Sequence, residues 1–138
     1  MDEYPRQYLY RRVVRAKLFI DLNYSRPLDL ANIADEACFS KFHFTRLFRS
    51  VYGKTPHQYL TEVRIGHAKQ LLADDLTVAA VCYAVGFDSV SSFTGLFRRR
   101  TGKTPAAFQR DVRKRLEESI RRPVKFVPNC FVEIQGWS

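Results

Sequence analysis

The sequence is poor in the residues that would place it in several large classes of protein. Its 138 residues include three cysteines, one methionine and one tryptophan. Cys38, Cys82 and Cys130 are odd in number and lie more than 40 residues apart, and the first two fall on apolar faces of helical patterns. That spacing suits neither a disulfide framework nor a zinc site, and buried free thiols are expected. His43, His57 and His67 have no metal-ligand spacing, so neither a metal nor another cofactor is expected. No Ser-His-Asp or Cys-His arrangement can be argued, so the chain does not read as an enzyme. Gly53-Lys54-Thr55 and Gly102-Lys103-Thr104 look like the end of a phosphate-binding loop. The earlier glycine of that loop is Phe48 in one and Phe97 in the other, and both segments follow helices rather than strands.

Long apolar runs are also missing. None approaches the roughly 18 residues of a membrane span, and the mixed-charge start, Met1-Asp2-Glu3-Tyr4-Pro5-Arg6, has no stretch of the signal-peptide type. A cytoplasmic protein without a membrane partner is expected. Acidic residues are the third shortage: 14 against 23 basic ones, a net charge of +9. Eleven of the 23 fall between Arg98 and Lys125. Such a balance suits a polyanion, because basic side chains release the counterions condensed on phosphate backbones. Charge alone leaves duplex DNA, RNA and anionic membrane surfaces open as partners.

What is present is helical periodicity. Apolar residues recur at three- and four-residue spacing, with Gly or Pro mainly between periodic segments. The spacing predicts a first helix over 6–23 with Val14, Leu18, Phe19 and Leu22 inward, and a short one capped by Asp29 and running through Ala37. Ser40 caps a third helix, to about Tyr52, closed by Gly53. Thr55-Pro56 opens a long helix to about Ala73, with Tyr59, Val63, Leu71 and Leu72 expected on its core face. Thr77 starts a fifth, Asp88 or Ser89 a sixth, and Thr104-Pro105 a seventh that ends near Ser119. The fold expected is all-α: seven helices in two helix-turn-helix units, over about 6–53 and 76–119, joined by a long linker helix over about 55–73. Together these make one tandem domain over 1–119, followed by a short irregular or strand-like C-terminal tail over 120–138.

The two units follow from an internal repeat. Phe44 to Pro56 reads FTRLFRSVYGKTP and Phe93 to Pro105 reads FTGLFRRRTGKTP, identical at nine of 13 positions. Upstream, Ile33-Ala34 matches Val81-Cys82 and Phe39 matches Phe87 at an offset one residue shorter. Within the first copy, Phe44, Leu47, Phe48 and Val51 form a core stripe, and Phe42, Thr45, Arg46 and Arg49 lie opposite. An exposed arginine can fork onto guanine, and an aromatic ring or threonine methyl can pack on thymine, so Arg46 is the first candidate for base readout. Ser40, Lys41, His43 and Arg49 lie where phosphates would pass. In the second copy Phe93, Leu96 and Phe97 repeat the stripe, with Ser91, Thr94, Gly95 and Arg98 outward. Gly95 stands where the first copy has Arg46. Ser89, Arg98, Arg99 and Lys103 are the phosphate candidates, a pattern of backbone attraction with modest base discrimination. The linker helix, about 27 Å long at 1.5 Å per residue, would hold both reading helices near the roughly 34 Å repeat of successive major grooves.

The motifs FxRxFRxxxGKTPxxYLxxxRxxxAxxLL and VxxxVGFxSxxSFxxxFRRxxGxTPxxF resemble the DNA-binding domain of AraC/XylS-type transcription regulators, over about residues 8–119. The resemblance implies seven helices, two helix-turn-helix units, and promoter binding that recruits or blocks RNA polymerase. By position, it implies base contacts from Phe42, Thr45 and Arg46 in the first unit, and from Ser91, Thr94 and Gly95 in the second. Arg64, Ala68 and Leu72 match the linker helix and Gly86-Phe87 the turn. Three residues depart from the pattern: Gly95, often an arginine; Gln109, also often an arginine; and Cys38, commonly a turn glycine.

The tail changes character, with Val124, Phe126, Val127, Phe131, Val132, Ile134 and Trp137 apolar. Packing on the last helices, strand pairing that makes a homodimer, and the start of a further domain all remain open for it. Two other functions compete with sequence-specific duplex binding: a non-specific architectural or RNA-binding module, for which charge alone suffices, and a fragment of a DNA-repair enzyme, which would need a reactive thiolate or a metal.

Overall fold

The computed structural model describes residues 6–36 and 40–121. Ala37, Cys38, Phe39, Cys130 and the tail from Arg122 onward lie outside the described residues. Seven helices span the described part: α1 (Arg6–Asn23), α2 (Leu30–Glu36), α3 (Lys41–Tyr52), α4 (Pro56–Ala73), α5 (Val78–Ala84), α6 (Val90–Thr101) and α7 (Pro105–Arg121).

Local chemistry explains where the helices start. Ser40, Thr55, Thr77, Ser89 and Thr104 each accept a hydrogen bond from the backbone N–H three residues on. Each such cap removes one orphan donor and contributes about 1 kcal/mol. Thr55 adds a reciprocal bond, its own N–H donating to Gln58 Oε1 at 2.9 Å. Asp29 and Asn32 exchange the same pair of bonds at the start of α2. Gly53 and Gly102 end α3 and α6 in the left-handed region, at φ 76° and 84°. The last helix continues two residues beyond the expected end at Ser119.

Two cores form. The first joins Val13, Ala16 and Ile20 of α1, Ile33 and Ala34 of α2, Phe44 and Phe48 of α3, and Leu60 of α4. The second joins Ile65, Ala68 and Leu72 of α4, Val81 and Cys82 of α5, Val85, and Phe93 and Phe97 of α6. The repeat is visible in the ring geometry. Phe44 and Phe48 meet edge-on with centroids 5.6 Å apart, and Phe93 and Phe97 do so at 5.7 Å. Removing any one of these four buried rings would cost about 3–5 kcal/mol.

The inward face expected for α1 is corrected. Leu9, Val13, Ala16 and Ile20 are buried, whereas Val14, Leu18 and Leu22 are exposed, Leu22 at 82%, and Phe19 is half-buried. Residues spaced 4, 3, 4 stay on one side of a helix with 3.6 residues per turn, whereas a run of fours drifts about 40° at each step. For α4, Leu72 is buried as expected, but Tyr59, Val63 and Leu71 only flank the cores. Leu60, Thr61, Ile65 and Ala68 do the burying, because α4 packs against both units from different sides.

Polar contacts fix the remaining elements. Gln109 of α7 is buried and its Nε2 donates to the carbonyls of Leu72 at 3.1 Å and Leu76 at 2.6 Å, closing the α4–α5 turn. In the first unit, Tyr59 donates to Asp21 Oδ1 at 2.5 Å and Lys17 Nζ to Asp21 Oδ2 at 3.0 Å, tying α4 to α1. That carboxylate bond, together with Tyr59, raises the Lys17 pKa against the opposing effect of burial.

Candidate nucleic-acid interface

The face of α3 away from the core carries Phe42 and Arg46 one turn apart. Phe42 is 83% exposed and Arg46 is also exposed. Leu22 of α1 is as exposed, but an aromatic ring in water beside a basic side chain is the combination that calls for a partner. Lys41 and Arg49 are exposed on either side, and His43 is half-buried. Ser40 is exposed. Its Oγ accepts from the His43 N–H at 3.3 Å, which leaves the hydroxyl proton available to an acceptor such as a phosphate oxygen. Thr45 differs from the expectation of a fully outward side chain. It is half-buried and its Oγ1 is enclosed without a hydrogen-bond partner, because one residue past Phe44 the helix surface has turned only about 100° from the core.

The corresponding face of α6 presents Ser91, exposed, with Thr94 and Gly95 half-buried. A Cβ at Gly95 would meet only Arg99 Nη1, at 3.5 Å, so the space where the first copy carries Arg46 is open. Arg98, Arg99 and Arg100 are all exposed in the last turn. Their charge suits the carbonyl end of the helix as well as an external anion. Ser89 is half-buried at the N-cap, its Oγ accepting from Ser92 N–H. Lys103 is exposed, but its ammonium is engaged by the Asp111 carboxylate. That bond is the main reason the Asp111 pKa lies below the usual carboxylate value.

Sequence reasoning missed the contribution of α4. A groove of about 520 Å³ runs between α4 and α6, and His57 and Thr61 line it opposite Ser91, Gly95 and Arg99. The four- and three-residue steps from His57 to Thr61 to Arg64, which keep all three on one side of α4, could have signalled it. Arg64, half-buried, extends from this wall to the carbonyls of Tyr24 and Arg26. Burial lowers its pKa and Asp88 opposes that shift. Among the described residues there is no cluster of three or more His, Cys, Asp or Glu able to hold a metal, and no helix is long and apolar enough to cross a membrane. Cys82 is fully buried, and burial pushes its thiol pKa up. That is the opposite of what a reactive thiolate needs.

Paired helices of this kind, each with a capped second helix whose outer face is basic or aromatic, define a tandem helix-turn-helix DNA-binding protein. The model of a helix-turn-helix domain family matches residues 33–111. The chain is 32% identical to the DNA-binding domain of AdpA, a global transcriptional factor solved in complex with a target DNA. The two superpose with a TM-score of 0.72 over 75% of this chain and 94% of that one. It is 37% identical over 102 residues to the HTH-type transcriptional regulator ExsA of Pseudomonas aeruginosa, covering 73% of this chain and 37% of that protein. With the bifunctional transcriptional activator/DNA repair enzyme AdaA of Bacillus subtilis it shares 33% identity over 92 residues, 66% of this chain and 44% of that protein. The chain belongs to the AraC-type helix-turn-helix family of transcription regulators, and sequence-specific DNA binding is the function of its domain. It spans well under two thirds of the length of these two curated relatives.

Proposed function

We propose that the domain over 1–119 binds a promoter as a monomer, with α3 and α6 entering successive major grooves on one face of the duplex and α4 spanning the distance between them. The observation that carries this reading is the pairing of an 83% exposed Phe42 with Arg46 on the outer face of α3. Arg46 reads guanine, Phe42 and the Thr45 methyl pack against thymine, and Ser40, Lys41, His43 and Arg49 hold the phosphates beside them. Ser91, Thr94 and Gly95 form the second, weaker reading face. Ser89, Arg98 and Arg99 grip the backbone there, with Lys103 contributing when released from Asp111. A cytoplasmic promoter binder of this kind acts by recruiting or blocking RNA polymerase. The C-terminal tail is the segment on which a homodimer would form.

The experiment is selection of bound sites from random duplex DNA, followed by Arg46→Ala. The wild-type chain is expected to hold its selected site at least about a thousandfold tighter than random duplex at physiological salt. Arg46→Ala should remove about 1–3 kcal/mol of that preference and leave non-specific binding nearly intact. An equal loss in both would overturn base readout by Arg46.

A further inference from the structure

Among the described residues, one ring packs against both cores. Tyr24, just past the end of α1, packs against the Phe44–Phe48 cluster and against the Phe93–Phe97 cluster. Its ring also stacks on His67 of α4, with centroids 4.0 Å apart and planes 2° from parallel.

Arg64 lies on the same helix one turn earlier and reaches three segments at once. Its Nε donates to the Tyr24 carbonyl at 2.7 Å and its Nη2 to the Arg26 carbonyl at 2.9 Å, both just past α1. Its guanidinium carbon lies 5.7 Å from the centroid of the Phe87 ring. Gly86, at φ +101°, admits this approach: a Cβ there would come within 2.8 Å of the Tyr24 carbonyl and 3.0 Å of Arg64 Nε. One planar cation therefore joins the exit of α1, the middle of α4 and the turn between α5 and α6. Charged hydrogen bonds to neutral carbonyls combined with ring stacking are a use for which arginine is suited and lysine is not.

We propose that Arg64 is a positioning residue for DNA recognition: by fastening the exit of α1 to the turn ahead of α6, it sets the separation between the two reading helices, and hence the number of base pairs accepted between half-sites. The inference rests on the two-groove reading above. Phe87 is two residues from the Ser89 cap of α6, so a displacement of this turn passes directly to the N-terminal end of α6, the end that enters a groove. One base pair is about 3.4 Å along the duplex axis. A protein that counts base pairs must hold its two units to better than that distance, and a side chain hydrogen-bonded to one and stacked on a ring of the other supplies the restraint.

The test uses the full chain and the duplex it selects from random DNA, with one or two base pairs inserted or removed between the half-sites, and a duplex carrying the first half-site alone. Wild type is expected to lose at least tenfold in affinity when the spacing changes. Arg64→Lys keeps the charge but cannot fork between two carbonyls. It should lose less than threefold for the same change, while binding the single half-site within twofold of wild type. An unchanged spacing penalty in Arg64→Lys would overturn the proposal and leave the two-groove reading standing. Absence of a penalty in wild type would remove that reading and the proposal with it. Should Arg64→Lys fail to fold, Phe87→Leu removes the flat surface beneath the guanidinium but keeps an apolar side chain. It is expected to relax spacing in the same direction, and an equal penalty there counts against the proposal.

Discussion

Lys103 is bound to the carboxylate of Asp111, and one repeat earlier Lys54 Nζ lies 2.6 Å from Glu62 Oε2. Both lysines follow the glycine that ends a reading helix, and both acids are eight residues further on. These are exposed pairs and add little to stability. The effect expected of them is on DNA binding, since a lysine held by a carboxylate would be partly withdrawn from a phosphate. Asp111→Asn is therefore expected to raise non-specific duplex affinity a few-fold at low salt. The slope of log K against log salt should steepen by about one. An unchanged slope would place Lys103 away from the backbone.

Gly95→Arg is expected to act opposite to Arg46→Ala. The site is open apart from Arg99 Nη1, and replacing a mid-helix glycine stabilises α6 by up to about 1 kcal/mol. The variant should fold at least as stably as wild type and prefer a guanine at one new position by about 1–3 kcal/mol. Reselection from random DNA measures this. No change in the selected sequence would mean that α6 does not seat in its groove.

The glycines differ in what they tolerate. Gly53→Ala meets nothing within 4 Å, so the left-handed backbone alone should cost about 1–2 kcal/mol. Gly86→Ala carries the same kind of backbone cost and also drives a methyl into the Tyr24 carbonyl and Arg64. A loss of about 3 kcal/mol or more is expected in urea denaturation. Equal losses in the two variants would mean that the Tyr24–Arg64–Gly86 contact is soft.

Gln109→Leu keeps much of the side-chain volume but removes the side-chain donor to the Leu76 carbonyl and one of the donors to the Leu72 carbonyl, which retains the Asp75 N–H. Denaturation should show a loss of about 1–2 kcal/mol, as for lost hydrogen bonds at a part-buried site. Affinity of the folded protein for DNA should hold within a few-fold, because Gln109 faces inward.

Much of this fold was legible because its start and stop signals are local. Ser40, Thr55, Thr77 and Thr104 announce helices by their own chemistry, and the Phe44 and Phe93 stripes follow from spacing. The α1 core face was not legible, because Leu9-Val13-Ala16-Ile20 and Val14-Leu18-Leu22 are both apolar and only the packing partner distinguishes them. Arg64 was matched to the linker pattern without its contacts, which join residues about 40 positions apart. The departure at Gln109 finds a structural reason in its two bonds to the α4–α5 turn. On the outer face of α3, the exposure of Phe42 and Arg46 follows from their spacing. The half-burial of Thr45 was legible in the same way, since one residue past Phe44 lies only about 100° from the core.

The helix α4 closes the first unit by packing on α1, α2 and α3, and opens the second by packing on α5, with α7 against it at the far side. In the second unit α7 follows Gly-Lys-Thr-Pro just as α4 does in the first. The duplication has thus been compressed: two four-helix units share one member and need seven helices instead of eight. Among the described residues no seam exists at which the chain could be severed into two complete four-helix units. A break before α4 leaves the first without its lid, and a break after it leaves the second without its floor.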